Sequence, residues 1–496
     1  MKYYEFLEQT FRRVNHLNHF RSLASWDTAV LLPKNSVQAR SEAMSELTLL
    51  KSEILQSPQI SEAIQEAKAG EMNLNNFQKA NLREMEFEWN YYAQVEGAVM
   101  AEKTRLGFLC ESQWRQSRKE NNFASLEPLL SKVVAIVKEE AQQRAFDTEL
   151  SPYEALINIY EPGMRTEKLD TLFGDLKKFI PKLMEKIKDK KKDEMQSFPS
   201  ISKEKQIFLG RMVMEKLGFD FDRGRVDESI HPFCGGVPED VRITSRYTED
   251  NFLEGLYAII HETGHARYEQ SLPNFLMYQP VNEARSFGIH EGQSLFFEMQ
   301  LGRSNHFIKF LGPLIGKAFG VKWGSTPWTE SNLLSHIHNV EPGYIRVNAD
   351  EVTYPLHVIL RYEIEKKLIS GQMSVKELPE IWDLKMQQYL GLSTKENDRD
   401  GCMQDIHWMD GSFGYFPSYT LGAMNAAQLF YSASTHVKGL DEQIERGDFE
   451  HLLNWLSHAV WQKGRLLSTA DLMKSATGEE LNARYFENHL EARYLS

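Results

Sequence analysis

The chain has 496 residues, enough to bury a large core in one helical body or in two domains. An ordinary apolar content of 42% marks it as globular, and a net charge of -13 argues against a nucleic-acid partner, which would need a basic face. Its three cysteines, Cys110, Cys234 and Cys402, lie far apart and are odd in number, which fits a reducing compartment and excludes a disulfide or zinc-finger scaffold.

The first residues, Met1-Lys2-Tyr3-Tyr4-Glu5-Phe6-Leu7-Glu8, lack a basic start followed by an apolar run. No apolar stretch approaches the roughly 20 residues that span a bilayer. A cytoplasmic protein without a membrane partner is therefore expected. Residues 1–150 read as successive long helices with few breakers. Pro33 with Lys34-Asn35-Ser36 marks one turn, and Leu47, Leu49 and Leu50 open an apolar pattern on the next helix. Phe87, Trp89, Tyr91 and Tyr92 fall at helical spacing and are expected in the core. Cys110 and Cys402 are assigned packing roles.

Glu161-Pro162-Gly163-Met164 is a turn signal. The lysine-rich run at 186–192 reads as a solvated helix face, and Phe198-Pro199-Ser200 as a linker before a helix at about 206–217. His231-Pro232-Phe233-Cys234-Gly235-Gly236 is loop-like. After it, Val241, Ile243 and Tyr247 alternate with Arg242, Thr244 and Arg246, the period of a half-buried strand. Such a strand either forms a structural hairpin or pairs with an extended peptide by edge addition.

The next segment carries His261-Glu262-Thr263-Gly264-His265, an HExxH motif. Four residues along a helix turn about 400°, so the two imidazoles project from one face and can share a metal ion, with Glu262 beside them. Phe252, Leu253, Leu256, Tyr257 and Ile260 recur at helical spacing, and Thr248-Glu249-Asp250 reads as the helix start. A catalytic metal needs a third protein ligand. A histidine six residues after His265 would supply it in a metzincin, but that position is Ser271. Glu283, Glu291 and Glu298 on the following segment remain as candidates, with Glu291, beside a second helix start, preferred.

From here the sequence resembles the carboxypeptidase Taq family of metallocarboxypeptidases. The resemblance rests on six blocks in the family's order: His231-Pro232-Phe233; Asp240-Val241-Arg242-Ile243-Thr244; the HExxH continuing to Tyr268-Glu269-Gln270; His290-Glu291-Gly292-Gln293; Ile345-Arg346-Val347-Asn348-Ala349-Asp350; and Gly401-Cys402-Met403-Gln404-Asp405-Ile406-His407-Trp408. Weaker similarity at Trp26-Asp27, Pro33, Arg40 and Tyr160–Met164 extends it over nearly the whole chain. Gly292, Ser245 and Arg267 depart from the family's usual Ser, Thr and apolar residue, and none is a proposed ligand.

The resemblance implies a mainly α fold with a deep central groove and a small sheet near the metal, in one catalytic unit over residues 1–496. Its N-terminal helical part would end near residue 200, with the metal-site part after it. It implies a homodimer, one divalent ion (zinc first, cobalt or manganese next) held by His261, His265 and Glu291, and Glu262 as general base. A second donor for the oxyanion is expected from His231 or a tyrosine, with Tyr415 and Tyr419 on their glycine-hinged segment as candidates. The substrates would be peptides with a free C-terminus, whose carboxylate calls for an arginine fork. Arg346 is the first candidate, against a structural pairing with Asp350 four residues on. Arg242 and Arg246 are next, and Asp405 and His407 would stand behind the site. The competing readings are a helical zinc endopeptidase or oligopeptidase and an inactive peptide-binding protein. The intact set His261, Glu262, His265 and Glu291 opposes the last of these.

Overall fold

The computed structural model describes residues 2–189, 195–229, 232–273 and 277–495. The breaker-poor N-terminal stretch folds as helices α1 (Lys2–Val30), α2 (Val37–Leu55), α3 (Pro58–Ala69) and α4 (Asn76–Ala93). Proline at the first position opens α3, and an Asn75–Gln78 capping box opens α4. These helices close around a small core of their own, centred on Leu7, Phe11, Val14, Leu55, Ile64 and Met85. Phe87, Trp89, Tyr91 and Tyr92, expected in the core, are only half-buried, and two of them cover cations: Arg144 lies over Tyr91 and Lys51 over Tyr92. Leu49 and Leu50 are exposed, so the apolar pattern on α2 is weaker than it reads.

Helices α5 (Gly97–Lys119), α6 (Phe123–Ala145), α7 (Pro152–Tyr160), α8 (Thr166–Lys188) and α9 (Lys203–Lys216) enter a second, larger core. That core runs on to the C-terminal helix and takes in Cys110 and Cys402. The described part of the lysine run, Lys186 and Lys188, is indeed on a solvated helix face. Strands β1 (Gly224–Glu228), β2 (Cys234–Val237) and β3 (Asp240–Ser245) form a small sheet in the order β1-β3-β2. β1 runs parallel to β3 and β2 antiparallel to it. The alternation at 241–246 therefore does mark a strand, but a central one. Both edges of β3 are hydrogen-bonded already, so peptide addition along it is excluded, and β2 is the strand that lines the cleft.

Helix α10 (Phe252–Gln270) is wedged between the two environments. Leu256, Tyr257 and Ile260 enter the helical core, while Ile259 and Ala266 pack on Val241 and Ile243 of the sheet. It begins at Phe252, about one turn later than Thr248-Glu249-Asp250 implied, with no side chain capping it. Helix α11 (Phe287–Leu295) follows and continues as a π-helix, Phe296–Gly302. The remaining helices are α12 (Asn305–Phe319), α13 (Glu330–Ile337), α14 (Tyr354–Ser370), α15 (Leu378–Leu390), α16 (Pro417–His436), α17 (Leu440–Glu445), α18 (Glu450–Ala459), α19 (Thr469–Thr477) and α20 (Arg484–Leu495). The chain is 69% helical, a mainly α fold with one small sheet beside the HExxH helix. A cleft of about 2650 Å³ runs between α1, β2, α10, α11, the 341–350 segment and the start of α16.

Candidate metal centre

Packing on both sides fixes the roll of α10, so His261 and His265 face the cleft. Helix α11 crosses it at Gly264, where a Cβ would lie 2.5 Å from the Gln293 carbonyl oxygen and 2.7 Å from Ser294 Cα. Only glycine lets the two backbones approach this closely. On its other side α11 packs against α16. There a Cβ on Gly422 would meet Glu291 Cγ at 2.6 Å, and one on Gly292 would meet Asn425 Cβ at 3.0 Å. Gly292, a departure from the family pattern, thus sits at a tight helix crossing. The N-terminus of α11 is fixed by Ser286, which accepts from Ile289 N, and by Glu161, which accepts from Gly288 N.

This crossing brings Glu291 between the histidines. Its Oε2 is 3.5 Å from His265 Nε2 and 4.0 Å from His261 Nε2, and all three donor atoms lie within 4.8 Å of one another. Ligand atoms about 2 Å from a tetrahedral metal are themselves roughly 3.3 Å apart, so the set fits a metal with slight contraction. Among the described residues it is the only group of three or more such donors. Each imidazole uses its other nitrogen against an outer group: His261 Nδ1 bonds Glu298 Oε2 at 2.9 Å, and His265 Nδ1 meets His290 Nδ1 at 2.6 Å. Glu298 is held in turn by Arg303, and His290 by Glu269 at 2.7 Å through its Nε2. Partners on Nδ1 leave Nε2 of both imidazoles free toward Glu291. Of the alternatives for the third carboxylate, Glu298 is occupied in this way and Glu283 pairs with Arg465 at 3.0 Å, outside the cluster.

The electrostatics show what the protein atoms lack. Burial pushes Glu262 up to about 7, and its Oε2 is buried without a hydrogen-bond partner. Burial opposes protonation of His261, yet the bond to Glu298 and the charge of Glu291 push it up to about 10. Burial pulls His265 down to about 4. Glu291 stays below the usual carboxylate range: burial resists this, but the imidazoles outweigh it. Three carboxylates crowd two imidazoles in a dry pocket, and a divalent cation held between them would supply the missing positive charge. The donor set therefore fits a metal.

The wall of the cleft beside this centre carries Arg346. It is buried, with Nε and Nη2 donating to Asp405 Oδ1 at 3.1 and 2.8 Å and Nη1 to the Tyr354 hydroxyl at 2.8 Å. Among the described residues these bonds occupy three of its five N–H groups. The expected competitor, Asp350, is not its partner. Arg346 lies on a short 3-10 turn, Arg346–Asn348, and Asp350 instead accepts from Val352 N, Thr353 N and the Thr353 hydroxyl ahead of α14. Tyr415 and Tyr419 line the same cleft, and Tyr419 sits where both Arg346 and Glu291 act on its phenol. Burial raises both phenols above their usual range, keeping them as neutral donors. His407 approaches the Tyr419 hydroxyl at 3.4 Å.

Arg242 is not at the cleft: its fork closes on Asp240 at 2.9 and 2.6 Å and its face covers Trp26. The neighbouring residue on a two-residue repeat captures it before any substrate can. Arg246 lines the cleft but pairs with Glu254. His231 lies outside the described residues. Arg267, which stands where the family usually has an apolar residue, is half-buried. It packs over the Trp461 ring and beside Gly218, and burial draws it down to about 10. Sequence reasoning missed the partners Arg303 and Tyr354. It quoted Glu269 and His290 in motifs without a role. A histidine preceding a candidate ligand and a glutamate one turn after His265 on the same helix were the available signals; Arg303 and Tyr354 are joined to the site only by folding.

Comparison with known proteins agrees with this geometry. The sequence profile of the carboxypeptidase Taq (M32) metallopeptidases matches residues 6–494. The chain is 35% identical to carboxypeptidase 1 of Bacillus subtilis over 97% of its own length and 96% of the relative's. It is 31% identical to thermostable carboxypeptidase 1 of Pyrococcus furiosus, over 98% and 97% of the two chains. Among solved structures, Trypanosoma cruzi metallocarboxypeptidase 1 superposes with a TM-score of 0.97 at 42% identity, covering 100% of both chains. With the HExxH helix, the carboxylate between its histidines and full-length similarity all in agreement, the chain belongs to the carboxypeptidase Taq family of metallocarboxypeptidases.

Proposed function

We propose that this enzyme binds one zinc ion through His261, His265 and Glu291 and removes residues one at a time from the free C-terminus of peptides. The observation that carries the reading is the convergence of those three donor atoms beside a buried, unpartnered oxygen of Glu262. The bound metal would polarise the scissile carbonyl and acidify the attacking water. Glu262 takes that water's proton and returns it to the leaving amine. His290 and Glu298 hold the two imidazoles in the tautomer that offers Nε2. A neutral phenol, Tyr415 or Tyr419, donates to the developing oxyanion. Arg346 offers its remaining N–H groups to the substrate carboxylate, and the edge of β2 supports the peptide backbone.

The reading includes residues 1–496 as one catalytic unit, a homodimeric assembly and a cytoplasmic location. Support for the last comes from the three unpaired cysteines. Among the described residues no helix is long and apolar enough to cross a membrane. The test is Glu262→Gln. The near-isosteric amide should leave metal content at one per chain while peptide hydrolysis falls by about 10²–10⁴. An active, metal-loaded variant would remove Glu262 from its role.

A further inference from the structure

Behind Arg346 the wall contains a second guanidinium. Asp405 is shared: Oδ1 accepts from Arg346, while Oδ2 accepts from Arg361 Nε at 2.7 Å and lies 2.5 Å from Arg361 Nη2. Arg361, on α14, is fully buried and does not line the cleft, whereas Arg346 and Asp405 both do. It therefore reaches a bound peptide only through Asp405. Its remaining anchors are the His357 carbonyl and the faces of Trp382 and Phe416.

The charge count is the informative part. Two guanidiniums share one carboxylate in a dry wall, and burial pushes Glu365, the other buried carboxyl that acts on Arg361, up to about 7, so below that pH one positive charge is left over. Burial pulls Arg361 down to about 10, still charged at neutral pH. Burial holds His357 near 3 and His407 near 4, so neither imidazole adds charge. A lone Arg346–Asp405 pair would be neutral, and an arriving carboxylate would leave an uncompensated negative charge in the wall. With Arg361 present, the same carboxylate brings the wall to balance.

We propose that Arg361 is a specificity-determining positioning residue: by engaging the second oxygen of Asp405 it leaves Arg346 with unneutralised positive charge, and that surplus selects a peptide with a free C-terminal carboxylate. The inference rests on the reading of Arg346 as the carboxylate-binding group. A purely mechanical clamp between α14 and the 405 segment would give the same contacts but a different response to charge.

The test uses metal-loaded enzyme and one peptide made with a C-terminal carboxylate or amide, and compares the ratio of kcat/KM for the two. Arg361→Met should lower this ratio at least tenfold, with the loss in KM for the free acid. Arg361→Lys, which keeps the charge, should lower it less than threefold. The double variant Arg361→Met with Asp405→Asn removes the clamp but restores one positive charge, and the introduced amide oxygen still accepts from Arg346. It should recover most of the lost preference. A double variant no better than Arg361→Met, or an Arg361→Met enzyme that keeps the wild-type ratio, overturns the proposal. Should Arg361→Met fail to fold by circular dichroism, Asp405→Asn alone decides. That wall carries two positive charges, so the preference must be kept or raised, and its collapse overturns the proposal. Arg346→Ala separates the underlying reading. If it retains the preference, both inferences fall; if it loses the preference while Arg361→Met keeps it, only the inference about Arg361 falls.

Discussion

Single side chains in the centre are distinguished by their partners. Glu291 faces both imidazoles, Glu298 is committed to His261 and Arg303, and Glu262 keeps an oxygen for the substrate side. Replacing each should therefore fail differently. Glu291→Ala should lose stoichiometric metal by elemental analysis, along with activity. A purified variant that keeps one metal per chain would transfer the third-ligand role elsewhere. For Arg346→Ala the account predicts a loss in kcat/KM for free-carboxylate peptides of order 1.5–3 kcal/mol, the range for a hydrogen bond to a charged group. A variant that melts early yet keeps its substrate preference would contradict that role. Much of this scale was legible, because i, i+4 histidines with an intervening glutamate encode a local geometry. The wall was not. Arg346 and Asp405 are separated by 59 residues, and local spacing favoured Asp350, which the turn at Arg346–Asn348 carries away.

Elements decide whether those side chains meet. The alternation at 241–246 correctly marked a strand, but strand order depends on pairing with β1 and β2, so its central position could not be read from its own residues. Likewise the histidine pair identified α10, while its separation from Glu291 is set by the crossing at Gly264. Gly264→Ala tests that dependence. Its methyl would press on the backbone of α11, which cannot rotate aside as a side chain does, so the helices must part. Overpacking of this kind costs about 1–3 kcal/mol. We expect a lower Tm together with weaker metal affinity by titration. Loss of stability with unchanged affinity would mean the crossing does not set the ligand geometry.

At the scale of the whole molecule, α1–α4 close around their own core and α1 and α2 line the cleft, the main core holds most of the other helices, and a third, small core joins the sheet to α10. The mainly α class was readable from breaker-poor stretches, but the separation of the N-terminal helices around a core of their own was not, since both halves share one helical pattern. Within the main core, Glu365 of α14 accepts from Tyr153, Trp408 and Gly414, tying α7 and the 405–415 segment together. Burial nevertheless pushes its carboxyl up to about 7. A carboxyl raised in the folded state contributes stability that is present below its unfolded value near 4.3 and lost as pH rises through about 7. That component is at most roughly 4 kcal/mol, and Glu365→Gln should flatten the fall in Tm between pH 5 and 7.5 relative to the parent. Equal slopes would contradict it. The central claim, metal-dependent release of C-terminal residues, is tested most directly by mass spectrometry of one peptide digested in its free-acid and amidated forms. The account predicts a ladder of single-residue losses from the free acid alone, abolished by chelation and restored by zinc. Internal cleavage of both forms, or a ladder indifferent to chelation, would contradict it.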